Sequence, residues 1–150
     1  MKRSAPHKMS KRYGSYVDLT HGALVDYQYL EEGLRMFLSL TYMEIRAHLP
    51  ASIAFNFSYA DTEKDSLGTL VSKFGKLTYD DDFVQDLRNL VQNRNIIAHR
   101  AYLLSPEEQG DSAFLSAQIK ALRDTRKELA RVIKHIYKAG MEIERILARN

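Results

Sequence analysis

The stretch from Leu24 to Ile45, "LVDYQYLEEGLRMFLSLTYMEI", decides the fold class. Its apolar and semipolar side chains recur at steps of three and four residues, as one buried face of an α-helix requires. The members of this stripe are Leu24, Tyr27, Leu30, Leu34, Leu38, Thr41 and Ile45. Because Pro50 cannot continue a helix, we predict a first helix from about Val17 to Leu49.

A second long helix is predicted from Ser112 to Ala148. Its apolar seam follows the same period and is interrupted twice. The seam is Leu122, Leu129, Ile133, Ile136, Ile143 and Leu147, and the interruptions are Arg126 and Gly140. At 1.5 Å per residue each long helix is roughly 45 Å, more than a small monomeric bundle needs. The extra length favours a dimer.

Two shorter helices are expected between the long ones. Ser66 is a suitable N-cap for a helix that ends near Leu77. Three aspartates, residues 80–82, suit the positive end of the next helix, which runs to at least Ala98. Residues 50–65 have no helical period and are interpreted as a long loop, its aromatic side chains packed against the bundle or a second subunit.

These elements predict an all-α fold, a four-to-five-helix antiparallel bundle in which two long helices flank the shorter ones. Residues 1–15 are interpreted as a basic flexible arm and residues 16–150 as one helical domain. No apolar run approaches the roughly 18 residues of a membrane helix, so we expect no membrane contact. The absence of cysteine excludes disulfides, thiolate metal sites and cysteine nucleophiles, and is compatible with a cytoplasmic location.

Charge is distributed unevenly, although the formal net charge is only +3. Residues 1–13 carry five basic side chains and no acid, whereas residues 14–113 carry 8 basic and 15 acidic side chains. Residues 114–150 again carry an excess of base, 9 against 4. Two basic ends could hold a polyanion such as RNA. The alternative is a flexible tail and a solvated helix face.

The third helix has a charge where its apolar pattern requires an aliphatic residue. On a helical wheel that starts at Phe83, the apolar face is centred at about 20–30° and Arg94 falls at about 20°. Because burying an unpaired guanidinium is costly, three explanations are open. Arg94 reaches solvent past its own buried stem, pairs with an acid on another helix, or lines a cleft that binds an anion.

His99 lies five residues after Arg94 and about 140° away on the wheel, so the two share no face of an ideal helix. They can converge on one ligand if the helix loosens near Ile97–His99, or if a two-fold partner supplies a second copy. Asn95 shares the face of His99 and could orient its imidazole. The alternative is that His99 is ordinary surface or part of a helix cap.

The sequence "RNIIAH", Arg94 to His99, resembles the R-x4-H motif of HEPN domains, in the form with an asparagine directly after the arginine. The resemblance covers residues 87–103 in motif and 17–149 in architecture. It implies a helical bundle that dimerises through the motif region. It also implies a metal-independent endoribonuclease that needs no cofactor, of the kind found in toxin–antitoxin modules and phage defence.

The resemblance assigns roles to the motif residues. Arg94 would bind phosphate, His99 would transfer protons while the RNA's own 2′-OH attacks, and Asn95 would position His99 or bind a backbone oxygen. Three further residues would extend the RNA-binding surface: Arg88, Arg100 and Tyr102. The expected partners are RNA, a second copy of the chain, and a cognate antitoxin or regulatory protein. No metal site is expected, because the five histidines lack ligand spacing.

Two functions remain open on these residues. The first is the HEPN-type ribonuclease, acting as a toxin or defence effector. The second is a non-catalytic HEPN-like bundle that binds a partner or regulates transcription, as in the mannitol-repressor family, which carries a similar stretch. HEPN toxins paired with a nucleotidyltransferase antitoxin have a tyrosine two residues after the motif histidine, whereas Tyr102 stands three residues after His99.

Overall fold

The structure, a computed structural model, describes residues 10–100 and 103–149. Within these ranges the regular secondary structure is helical, with five α-helices, one short 3-10 helix and no strand. The helices are α1 Lys11–His48, α2 Leu67–Gly75, α3 Asp81–Arg100, α4 Pro106–Gly110 and α5 Ser112–Leu147, with the 3-10 helix at Tyr59–Asp61. The all-α prediction is confirmed. None of the helices in the described ranges combines the length and apolarity needed to cross a membrane.

Helix α1 takes in the last five residues of the segment predicted as a flexible arm, so that part of the prediction is wrong. Ser10 caps the helix, because its Oγ accepts a hydrogen bond from the backbone N–H of Tyr13 at 3.2 Å. Arg12 donates to the carbonyl oxygen of Ser112 at 3.4 Å, which fixes this first turn against the start of α5. Residues 1–9 lie outside the described residues.

Helices α1 and α5 lie side by side and run in the same direction. Asp26 of α1 pairs with Arg126 of α5 at 2.6 Å. Further along both helices, the methyl group of Met36 lies over Gly140. Because residue numbers rise together on the two helices, the pair is parallel. The prediction of an antiparallel bundle is therefore wrong for the two long helices.

The loop at residues 50–65 accounts for this direction. Arg35 lies roughly three and a half turns before the end of α1, yet it donates to the carbonyl oxygens of Thr62 and Asp65, each at 3.2 Å. The chain thus returns along α1 before α2 begins. Helix α2 then runs parallel to α1, and α3 runs back in the opposite direction.

The loop also anchors its aromatic side chains on α1, one of the two positions predicted for them. Phe55 and Phe57 both pack on Tyr42, with ring centroids 6.1 Å and 5.7 Å away. Lys73 of α2 donates to the carboxylate of Asp65, which ties the loop to the next helix. The segment is a long loop as predicted, apart from its short 3-10 helix.

The core fills the space between the α1–α5 pair, α2 and the first half of α3. Of the predicted α1 stripe, Tyr27, Leu30, Leu34 and Leu38 are buried and the other three are half-buried. The α5 seam contributes Leu122, Leu129 and Ile136 as buried residues, and Ile133, Ile143 and Leu147 as half-buried ones. Periodicity thus identified the faces that pack, although it did not reveal the direction of the helices.

Candidate functional site

Helix α3 carries the motif on the half that the core covers least. The Asp80 carboxylate caps the helix by accepting from the N–H of Phe83 at 3.0 Å. The first half is anchored by four buried side chains: Phe83, Val84, Leu87 and Leu90. Beyond Leu90 no described residue of α3 is fully buried. The motif therefore sits on a rigid element whose outer face is open.

Arg94 is half-buried and lies near Tyr27 of α1. Burial raises the pKa of the Tyr27 hydroxyl above its ordinary value, and the charge of Arg94 partly opposes that rise. No carboxylate of the described residues lies within ion-pair distance of Arg94. Within the described part of the chain, Arg94 therefore does not pair with an acid on another helix, which was one of the three explanations considered for it.

His99 and Asn95 are exposed on the outer face of α3. They share this face, as predicted, but neither makes a hydrogen bond to the other. Helix α3 stays α-helical through His99 to Arg100, so the loosening considered for Ile97–His99 does not occur. Within one chain, Arg94 and His99 thus point about 140° apart. One subunit alone does not bring them together.

The three predicted accessory residues occupy different surroundings. Arg88 is exposed, and on the wheel it lies on the same flank as Asn95 and His99. Arg100 is exposed. Burial raises the pKa of Tyr16 on α1, and the charge of Arg100 is among the groups that oppose the rise. Tyr102 lies outside the described residues.

Asn93, just before the motif, is a positioning residue that the sequence reading missed. Its side-chain amide donates to Thr125 Oγ1 of α5 at 3.0 Å and so fixes α3 against α5 one residue before Arg94. Asn93 lies at about 280° on the wheel, at the border of the apolar face. A polar residue at that border is a signal that could have marked it.

Tyr27 presents a buried polar atom without a partner. Its side chain is 1% exposed, and its hydroxyl makes no hydrogen bond to any described residue. An unsatisfied buried hydroxyl is destabilising. Arg94 is close enough for its charge to act on this hydroxyl.

We expect Tyr27→Phe to raise the free energy of unfolding by about 1 kcal/mol at neutral pH, because it removes that hydroxyl. The pKa of the Tyr27 hydroxyl is higher in the folded chain than the value of about 10 that it has in the unfolded chain. The wild type therefore also loses stability as the pH rises above about 10, whereas the variant has no hydroxyl at this position to ionise. Urea unfolding at pH 8 and above pH 10 measures both effects. A loss of stability at pH 8 would show instead that the hydroxyl has a partner, with Arg94 the first candidate.

Among the described residues, no three histidine, aspartate or glutamate side chains cluster as metal ligands would. The motif itself places a guanidinium, an amide and an imidazole on α3. No family model, no curated protein and no solved structure matches the chain. Its function is accordingly inferred from these side chains and their positions.

Proposed function

We propose that the protein is a metal-independent endoribonuclease of the HEPN type that acts as a homodimer. The observation that carries this proposal is Arg94, a half-buried guanidinium with no carboxylate partner among the described residues, five residues before an exposed histidine on one continuous helix. A cation held in this way is available to an anionic ligand. The resemblance of Arg94 to His99 to the HEPN motif implies that this ligand is a phosphate of RNA.

A two-fold axis along the outer face of α3 would complete the site. Ile96, which directly follows Asn95, is 57% exposed there. A second copy of α3 packed on this face would bury the Ile96 side chain. Two copies of α3 placed face to face would bring two His99 side chains to one phosphate, and each Arg94, which points about 140° away from His99, would reach that phosphate by extending around its own helix.

The reaction follows from those groups. One imidazole removes the proton of the 2′-OH, and the 2′ oxygen attacks phosphorus. The arginines stabilise the negative charge that develops on the phosphorane. The bond from phosphorus to the 5′ oxygen breaks, and the second imidazole, now the acid, gives that oxygen a proton. The products are a 2′,3′-cyclic phosphate and a 5′-hydroxyl.

The biological role that fits this activity is that of a toxin or phage-defence effector. Unrestrained RNA cleavage harms the cell that produces it, so a cognate antitoxin or regulatory protein would control the enzyme. Expression without that partner should slow growth.

The purified wild-type chain should cleave single-stranded RNA with EDTA in excess. The 5′ fragments should end in a 2′,3′-cyclic phosphate, which mass spectrometry distinguishes from a linear phosphate by the mass of one water. A DNA strand of the same sequence should remain intact, because it lacks the attacking 2′-OH.

The dimer is tested by Ile96→Glu, which places two carboxylates at the proposed interface. We expect a monomer by light scattering, an unchanged circular dichroism spectrum, and loss of cleavage. The matched control is Ile53→Glu, since Ile53 is similarly exposed at 52% but lies in the loop at residues 50–65. A wild-type dimer that cuts no RNA would favour the non-catalytic function, and an active Ile96→Glu monomer would contradict the composite site.

A further inference from the structure

Six exposed cations form one stripe along α5. Their spacings of three, four and seven residues place them within about 60° of each other around the helix and over roughly 38 Å of its length. This basic stripe consists of Lys120, Arg123, Lys127, Lys134, Lys138 and Arg145, all of them exposed. No acidic side chain of α5 falls inside the same sector of the wheel.

The stripe is largely unneutralised. Within the described ranges, only Lys120 of its members has a carboxylate in ion-pair distance, Asp124 at 3.4 Å, and both partners are exposed. The other cations of α5 behave differently. Arg126 pairs with Asp26, and Arg131 pairs with Asp86. Charges needed for packing are thus paired, whereas those of the stripe face solvent.

Two adjoining grooves between α1 and α5 lie beneath the stripe. The larger, of about 760 Å³, is lined by Arg123, Lys127 and Lys134 and by two tyrosines, Tyr29 and Tyr137. Tyr29 is 59% exposed, so its ring is accessible. The smaller groove, of about 550 Å³, shares Arg123 and Lys127 and extends to Lys120 and Arg12 of α1. The two grooves thus have cations along the stripe and tyrosine rings within a largely apolar wall. Each groove also has one aspartate, Asp26 or Asp124, which is paired with Arg126 or Lys120.

The parallel arrangement of α1 and α5 adds to this field. Both helices begin at the same end of the bundle, where Arg12 reaches the first residue of α5. The positive ends of their two dipoles therefore lie next to each other, about two turns before Lys120.

We propose that the basic stripe and the groove beneath it bind single-stranded RNA. A cationic channel that follows a backbone, with an exposed aromatic ring on which a base can stack, is the arrangement by which proteins hold single strands without reading their sequence. The length of the stripe suits an extended chain of phosphates better than a single phosphate. This inference rests on the proposed function, which supplies RNA as the ligand, and it adds a second surface that binds RNA.

This surface lies apart from the motif. None of the residues that line the larger groove belongs to α3. Helix α3 contacts α5 through Thr125, which points about 160° away from Lys127 around α5. An RNA that engages both surfaces must pass around the bundle or reach from one subunit to the other. Long strands should consequently be cut more efficiently than short ones at equal concentration.

The test uses the cleavage-deficient His99→Ala background and fluorescence anisotropy with an unstructured, labelled RNA of about 20 nucleotides. The stripe variant is Arg123→Glu/Lys127→Glu/Lys134→Glu. The control makes the same change in net charge elsewhere, at three exposed cations without an ion pair among the described residues: Arg46→Glu/Lys64→Glu/Lys76→Glu. A Gln version of the stripe variant serves if the Glu version unfolds.

At each salt concentration from 50 to 200 mM, the stripe variant should bind RNA at least about a hundredfold more weakly than the chain with the stripe intact, whereas the control should bind no more than about threefold more weakly. The slope of log affinity against log salt should fall by about 2, since each phosphate contact to a single strand contributes about 0.7. Tyr29→Ala should weaken RNA binding about fivefold or more and leave inorganic polyphosphate binding unchanged, because only RNA has bases to stack.

Equal affinities of the stripe and control variants would overturn the inference, as would stripe-dependent binding to phosphatidylserine vesicles without RNA binding. The outcome is separable from that of the proposed function. If the chain binds RNA through the stripe but never cuts it, this inference holds and the proposed ribonuclease function fails. If the stripe variant binds and cuts RNA like wild type, the proposed ribonuclease function holds and this inference fails.

Discussion

His99→Ala should reduce the rate of RNA cleavage by about a hundredfold to ten-thousandfold, the contribution that general acid–base catalysis makes in enzymes. In the proposed dimer the substitution removes both the base that activates the 2′-OH and the acid that protonates the leaving oxygen. Affinity for RNA should change little, because the imidazole provides little of the charge that holds the backbone. Single-turnover cleavage in EDTA, together with anisotropy, separates the two effects.

The matched control is His21→Ala, which removes another exposed histidine, on α1. It should cleave at the wild-type rate. Arg94→Lys should lose about a hundredfold while keeping the charge, since an ammonium cannot contact two phosphate oxygens as a guanidinium fork does. Full activity in His99→Ala and in Arg94→Ala would exclude the proposed chemistry.

Leu87→Ala should lower the free energy of unfolding by about 3 kcal/mol, within the range seen for buried leucines. Leu87 is 0% exposed and belongs to the main core cluster. Its removal leaves a cavity under α3 that neighbouring side chains can only partly fill. Urea unfolding followed by circular dichroism measures the change, and an unchanged m-value would show that the loss is in stability.

Leu103→Ala is the corresponding control, because Leu103 is 77% exposed. Its effect should stay within about 0.5 kcal/mol. The Leu87 variant should also cleave RNA more slowly at temperatures well below its unfolding midpoint, since α3 positions Arg94 and His99. A variant as stable as wild type would mean that α3 does not pack on the core through this residue.

The starts of α2 and α3 and the buried faces of the two long helices could be predicted because they depend on local signals. Ser66 and Asp80 cap α2 and α3, and the three- and four-residue steps identified the buried faces of α1 and α5. The direction of the long helices could not be predicted, because it depends on how far back along α1 the loop at residues 50–65 returns. That return rests on backbone carbonyls that accept from Arg35, and carbonyls leave no mark in the sequence.

The candidate site was predictable in the same partial way. A guanidinium on an apolar helix face is visible as a departure from the hydrophobic period, so Arg94 could be identified before its surroundings were known. The contact between Asn93 and Thr125 could not be predicted, since the two residues lie on different helices and only the packing of these helices defines their register. The start of α1 was missed because a single hydroxyl, that of Ser10, determines it.

The parallel pairing of α1 and α5 has a consequence for how the chain folds. The Asp26–Arg126 contact joins residues 100 positions apart, and the same separation recurs where Arg12 meets Ser112. Helical proteins usually fold fast because their contacts are local, and folding slows as contacting residues become more distant in sequence. During synthesis, the part of the apolar face of α1 that packs on α5 stays uncovered until α5 leaves the ribosome. This chain should therefore fold more slowly than an up-and-down bundle of equal length, and depend more on chaperones.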